Sequence, residues 1–141
     1  MKYVCDAPPH TWFRLETEGE ATAESKTMEH AVEKYFRQAR EAAVQAYQPP
    51  KELSTIEQNI GLKDHIQRAM PLFLTLRDRG GAPLVTAMLP PTGKGDRPFR
   101  PIVVGVKNAD PFPAYGAQIQ ALAEHLGLSL DASHCYPYRR G

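Results

Sequence analysis

Cysteine and long apolar runs are both scarce in this sequence. Only two cysteines, Cys5 and Cys135, occur among 141 residues, and a chain of this length can hold a core without disulfides. We therefore expect free thiols. The longest apolar stretches, at 71–76 and 102–106, are far shorter than the roughly 20 residues that cross a bilayer. Because the first residues also lack the apolar run of a secretory signal, we expect a cytoplasmic protein without a membrane partner.

An excess of one charge is also missing from the chain as a whole. Lys and Arg number 17 against 16 Asp and Glu, which gives a net charge of +1. This balance argues against a strongly basic nucleic-acid binder and against an acidic disordered chain. The charges are nevertheless unevenly placed, since residues 1–60 carry a net −3, residues 61–141 a net +4, and residues 65–109 a net +5.

The motifs that mark common active sites are absent. The Gly-Lys pair at 92–95 lacks the upstream glycine and the following Ser or Thr of a phosphate-binding loop. Cys5, His10, His134 and Cys135 do not have the spacing of a zinc site. No Gly-x-Ser-x-Gly or His-Glu-x-x-His pattern occurs, so the sequence names no catalytic residue, metal site or cofactor.

The first half of the chain predicts two strands and a long helix. Residues 2–5 and 11–16 are rich in strand-forming types and are separated by two prolines, which indicates a turn. A capping box at 17–20 then opens a helix whose apolar residues recur every three to four positions as far as Pro49. His30 lies inside this predicted helix, and spacing alone does not single out an acidic partner for it.

The second half predicts a helix, three strands and a final helix. A second capping box at 54–57 opens the helix that precedes the strands. Two strands, 72–76 and 84–89, flank a glycine pair that is typical of a hairpin, and a third covers 102–107. The last helix is expected to end at Gly127.

Together these elements predict an α+β domain with a mainly antiparallel sheet of four to five strands. An N-terminal pair and a three-strand meander form the sheet, and the long N-terminal helix and the C-terminal helix cover it on one face. Residues 1–130 are expected to form this single domain. Residues 131–141 are expected to form an irregular tail.

The loop 94–101 is the strongest candidate for a binding site. It joins two predicted strands and carries three cations, an aromatic residue and two prolines, so its tip could follow a phosphate backbone. Two arginines at the neighbouring hairpin extend the basic surface. The candidate anion- or nucleic-acid-binding residues are Lys94, Arg97, Phe99, Arg100, Arg77 and Arg79.

Three functions remain open on the sequence alone. The first is a small non-catalytic binding or accessory protein that acts through a protein partner or through self-association as a dimer, because an acidic and a basic half steer association. The second is nucleic-acid or polyanion binding through the loop 94–101. The third is an enzyme whose site is assembled from dispersed residues, since spatial convergence leaves no motif.

Overall fold

A computed structural model describes residues 1–91 and 100–136 of the chain. Within these ranges two strands are followed by three helices, then by three strands and a last helix, and the α-helices have 11 to 15 residues. The elements, in chain order, are β1 (Lys2–Ala7), β2 (His10–Arg14), α1 (Glu18–Met28), α2 (Val32–Ala46), α3 (Thr55–Ala69), β3 (Leu72–Arg77), β4 (Pro83–Leu89), β5 (Ile102–Val104), a short 3-10 helix (Val106–Asn108) and α4 (Phe112–Leu126).

The five strands form one antiparallel meander in the order β1-β2-β3-β4-β5. This confirms the predicted α+β fold and its sheet. The register places Trp12 opposite Leu76 and Leu74 opposite Ala87, so apolar residues stack across three strands. The predicted hairpin between β3 and β4 is also present.

The helices cover both faces of the sheet, so the expectation of cover on one face is wrong. Successive residues of a strand point to opposite faces, and the neighbours Phe73 and Leu74 belong to different core clusters. Leu74 packs in the cluster that holds Ile119 and Leu122 of α4. Phe73 packs in the cluster that holds Phe36 of α2. The nearly continuous apolar run of β3 is typical of a strand that is buried on both sides.

The predicted long N-terminal helix is two helices, which is a second correction. α1 ends at Met28, and Glu29 follows with a left-handed φ of 54°. The hydroxyl oxygen of Ser25 accepts a hydrogen bond from the Glu33 N–H in the first turn of α2 at 2.8 Å. No glycine or proline marks the break at residues 29–31; polar side chains and tertiary contacts create it.

Local sequence signals place the other helix ends correctly. Both capping boxes, at 17–20 and 54–57, form as predicted, and Gly127 ends α4 with a left-handed φ of 69°. Gly61 lies within α3, where a Cβ atom would come to 2.2 Å from the Tyr47 hydroxyl. This glycine therefore lets the end of α2 approach α3.

Residues 131–136, at the start of the predicted tail, lie against the core. Cys135 is buried in the same cluster as Cys5. The Val103 N–H donates to the Tyr136 carbonyl at 2.9 Å, and the Tyr136 N–H donates to the Pro101 carbonyl at 2.8 Å. Residues 137–141 lie outside the described residues. None of the helices in the described part of the chain has the length and apolar character needed to cross a membrane.

Candidate functional site

The structure places the predicted anion-binding residues in different environments. Lys94, Arg97 and Phe99 lie outside the described residues. Arg100 and Arg79 are exposed, the first just before β5 and the second in the turn between β3 and β4. The remaining member of the set, Arg77 at the end of β3, is half-buried and is directed into the protein.

Arg77 forms a buried ion pair with Glu24 of α1. The Glu24 side chain is 0% exposed, and its Oε1 accepts from Arg77 Nη2 at 2.6 Å. The second oxygen, Oε2, accepts from the Thr86 hydroxyl at 2.5 Å. Arg77 also donates to the Thr75 hydroxyl and to the Gly81 carbonyl, each at 3.0 Å. The charge of Arg77 is thus compensated inside the protein, and Glu24 is a polar core residue that the sequence pattern does not distinguish from other helix-start acids.

His30 extends this network from the break between α1 and α2. Its Nε2 lies 2.9 Å from the Thr86 hydroxyl, whose single proton goes to Glu24. The imidazole must therefore donate from Nε2, and Nδ1 accepts from the Val32 N–H at 3.4 Å. Burial lowers the pKa of His30, although the neighbouring Glu24 charge opposes the shift. His30 is neutral near pH 7, and both ring nitrogens hold structural bonds, so the imidazole has no free lone pair to act as a base.

A cavity of about 260 Å³ opens beside this network. We call it the junction cavity because it lies where α1 gives way to α2. Its wall is mainly apolar, with polar groups from His30, Thr86 and Asn108. The lining residues are His30, Ala31, Val32, Tyr35, Thr86, Met88, Ile102, Val104, Asn108 and Tyr136.

A larger cavity of about 560 Å³ lies between the end of β2, α2 and α3. We call it the basic cleft. Its floor is apolar and its rim is charged, because α2 and α3 each present one mixed face to it. The lining residues are Arg14, Leu15, Glu16, Thr17, Phe36, Arg40, Asn59, Leu62, Lys63, Ile66, Gln67, Met70 and Pro71.

The basic cleft carries three cations and one carboxylate. Arg14 is half-buried, and its Nη2 donates to the Gln67 carbonyl at 2.8 Å. Burial lowers the pKa of Arg14, and the charge of Glu16 partly opposes the shift. Arg40 and Lys63 are exposed. None of these three cations forms an ion pair with a carboxylate of the described residues.

The cysteines and the tail histidine do not form a reactive group. Burial raises the pKa of both thiols, that of Cys135 to about 11 with a contribution from Asp131, so both are protonated at neutral pH. The Ser133 hydroxyl at 3.1 Å and Asp131 Oδ2 at 3.6 Å both approach Nδ1 of His134. A Ser-His-Asp relay needs one partner on each ring nitrogen. Within the described residues no three potential ligands cluster to hold a metal ion.

No protein-family model, curated protein or solved structure matches this chain. The chemistry of the lining side chains is therefore the basis for assigning a function. The basic cleft combines the larger volume with three cations that form no ion pair with a described carboxylate, whereas the junction cavity is smaller and mainly apolar. Sequence reasoning missed both, because their walls come from residues far apart in the chain.

Proposed function

We propose that this protein binds a small organic anion with an apolar body in the basic cleft. This role is non-catalytic binding, as the sequence favours, but its ligand is a small molecule and not the protein partner or second copy that the sequence favours. The observation that carries the proposal is Arg14, a half-buried guanidinium at the cleft without a carboxylate partner among the described residues.

The charge of Arg14 favours an anionic ligand. Removing a charge from water costs free energy unless an opposite charge or several hydrogen bonds compensate it. The Gln67 carbonyl supplies one hydrogen bond to Arg14, and a guanidinium has five N–H donors in a planar fork. A bound carboxylate would accept two of these in parallel. Arg40 and Lys63 at the rim would attract the same ligand from solution.

The floor of the basic cleft favours an apolar ligand body. Leu15, Phe36 and Met70 are buried there, and Ile66 and Leu62 of α3 are half-buried. α3 contributes no fully buried residue, because its inner face borders the cleft instead of packing directly on the sheet. A ligand in the cleft would give the half-buried side chains of Leu62 and Ile66 further apolar contacts. The volume of about 560 Å³ lies within the range of about 300–1,000 Å³ of ligand pockets.

An NMR titration tests this proposal with a matched pair of probes. The ¹⁵N-labelled protein is titrated with 2-naphthoate and with 2-naphthamide, which have the same ring system but differ in charge. We expect saturable amide shifts from 2-naphthoate at residues 14–17, 36–40 and 59–71, and binding of the amide weaker by about tenfold, as for one charge-assisted hydrogen bond of about 1.5 kcal/mol. Equal affinity for the two compounds, or shifts outside these ranges, would contradict the proposal.

Two substitutions separate the contributions of the cations. R14M removes the half-buried guanidinium, and we expect 2-naphthoate to bind about tenfold more weakly. R40Q removes an exposed charge, and we expect a loss of about twofold to fivefold, as for a contact of about 0.5–1 kcal/mol. R79Q, at an exposed arginine outside the cleft, is the control and should bind like the parent protein. An R14M variant that keeps full affinity would exclude Arg14 as the anion partner.

Self-association is a second candidate, supported by the outer face of α3. Ile56 and Ile60 lie one turn apart, and they are 73% and 60% exposed. Adjacent exposed isoleucines on one helix face are typical of a contact surface. We expect sedimentation equilibrium to show a dimer and the I56K variant to be monomeric, with T55K as the matched control. A parent protein that is monomeric at millimolar concentration would remove this candidate.

A further inference from the structure

The junction cavity is chemically unlike the basic cleft, because its charges are already compensated. Glu24 lies behind Thr86 and is paired with Arg77. His30 is neutral near pH 7, since burial lowers its pKa. The described lining residues include no Asp, Glu, Lys or Arg. A charged ligand would lose its hydration here without meeting a counter-charge, so the cavity suits an uncharged ligand.

Thr86 fixes the direction of the hydrogen bond that a ligand can make. Thr86 is only 3% exposed. The hydroxyl donates its proton to Glu24 and accepts from Nε2 of His30. A hydroxyl oxygen has two lone pairs, so one remains for a donor that enters the cavity. The ligand must therefore donate, because the Glu24 carboxylate keeps the Thr86 proton.

The size and wall of the cavity suit a bicyclic ring system. Its volume of about 260 Å³ exceeds the roughly 150 Å³ of an engineered apolar cavity that accepts benzene. Val32, Val104 and Met88 supply apolar contacts, and a methionine adapts its shape to a ring. Tyr35 and Tyr136 border the opening and are 46% and 40% exposed, so their rings can cover the edge of a planar ligand.

Strained backbone surrounds the same cavity. Three non-glycine residues in the described ranges have a left-handed φ: Glu29, Lys107 and Asn108, at 54°, 57° and 58°. Asn108 lines the cavity, Glu29 directly precedes His30, and Lys107 Nζ lies 3.8 Å from Glu29 Oε2. A residue with a Cβ atom is disfavoured in this conformation, and strain of this kind concentrates at ligand sites. Strain here is an observation independent of the shape of the cavity.

We propose that the junction cavity binds a small uncharged bicyclic aromatic compound that donates one hydrogen bond from a ring N–H to Thr86. This site is separate from the basic cleft, with which it shares no lining residue. Binding would leave the Glu24–Arg77 pair and the His30 tautomer unchanged, because the ligand uses only the free lone pair of Thr86.

A second NMR titration, with indole and 1-benzofuran, tests the inference. The two compounds have nearly the same shape, but only indole has a ring N–H. We expect indole to shift the amides of residues 30–35, 86–88 and 102–108, and to bind about tenfold more tightly than benzofuran, as for one added hydrogen bond. Equal affinity for the two compounds, indole shifts at other residues or no saturable binding would overturn the proposal.

Two variants make the assignment specific. T86V removes the acceptor and should reduce the difference between indole and benzofuran to less than twofold. I102F fills part of the cavity at a half-buried position and should abolish binding of both compounds, which keeps the test decisive if T86V does not fold. V106F, at an exposed position outside the lining, should bind indole like the parent. Persistent indole binding by a folded I102F variant would overturn the site.

The proposals for the basic cleft and for the junction cavity can be tested independently of each other. R40Q alters the basic cleft and should leave the indole affinity unchanged, whereas I102F should leave the 2-naphthoate affinity unchanged. If R40Q weakens indole binding, or if I102F weakens 2-naphthoate binding, the two compounds share one site. This result would overturn the separate junction site.

Discussion

At the residue scale, the polar core is built from pairs that lie far apart in the chain. Glu24 meets Arg77 across 53 positions and Thr86 across 62, while His30 meets Thr86 across 56. No local spacing connects such residues, so the sequence assigns Arg77 to an anion-binding surface and Glu24 to a helix start. Glu24 is buried and Arg77 half-buried because each compensates the charge of the other.

His30 makes the stability of the protein depend on pH. Burial lowers its pKa in the folded state below the ordinary value of 6.5, so the unfolded chain takes up the proton first as pH falls. The neutral His30 therefore contributes fully to the free energy of unfolding above about pH 6.5, the ordinary pKa of histidine. Below about pH 6.5 this contribution decreases, and it is lost as pH falls through the pKa of His30 in the folded state. Urea denaturation of the parent and of H30Q between pH 7.5 and 5.5 measures the effect. We expect the free energy of unfolding of H30Q to change much less with pH than that of the parent protein.

The T86S variant is the control for the His30 titration. It keeps the hydroxyl that accepts from Nε2 of His30, so we expect the pH dependence of the parent protein. Its free energy of unfolding should be somewhat lower at every pH because the buried methyl group is lost. If H30Q and the parent show the same slope over this range, His30 is not the group responsible.

At the element scale, the helix ends with local signals could be predicted and the internal break could not. The capping boxes at 17–20 and 54–57 and the glycine at 127 act on their own neighbours, and the sequence places them correctly. The break at residues 29–31 depends on Ser25 capping α2 and on His30 bonding to β4. A continuous apolar spacing is compatible with one helix or with two, so the tertiary contacts decide.

A glycine substitution distinguishes a broken helix from a continuous one. Glu29 has a left-handed φ, which costs a residue with a Cβ about 1–2 kcal/mol, while glycine adopts it freely at a somewhat larger entropy cost. We expect E29G to raise the free energy of unfolding by about 0.5 kcal/mol, because the exposed contact with Lys107 contributes little. Thermal and urea denaturation measure the change.

A23G, at an exposed position inside α1, is the matched control for E29G. We expect it to lower the free energy of unfolding by about 1 kcal/mol, the usual cost of glycine in a helix. If E29G destabilises the protein as much as A23G, the helix continues through residue 29 and there is no break between α1 and α2.

At the scale of the whole molecule, the sheet separates two regions of different chemistry. α4 covers one face with a largely apolar core. On the other face, α1 carries Glu24 of the buried network, and α2 contributes lining residues to both cavities. The sequence correctly predicts an antiparallel sheet of four to five strands with an N-terminal pair and a three-strand meander, because each strand and turn carries its own pattern. The pairing of β2 with β3, which joins the two parts into one five-stranded meander, has no local signal. The sequence does not predict the cavities, whose walls come from elements that lie far apart in the chain.

The charge distribution of the whole molecule also differs from the pattern along the chain. Part of the positive charge of residues 65–109 is compensated, since Arg77 pairs with Glu24 and Lys107 lies near Glu29. The cations at the basic cleft that form no ion pair within the described residues come from both halves of the sequence: Arg14, Arg40 and Lys63. Polyanion binding through the loop 94–101 stays a prediction, because Lys94, Arg97 and Phe99 lie outside the described residues.

The position of bound 2-naphthoate on the protein decides whether the basic cleft is the anion site. Intermolecular nuclear Overhauser effects between its ring protons and the protein identify the side chains it contacts. We predict contacts to the methyl groups of Leu15, Leu62 and Ile66, together with a shift of the Arg14 side-chain N–H signals that 2-naphthamide does not cause. Contacts to Ile56 and Ile60 on the outer face of α3, without any contact inside the basic cleft, would contradict the account.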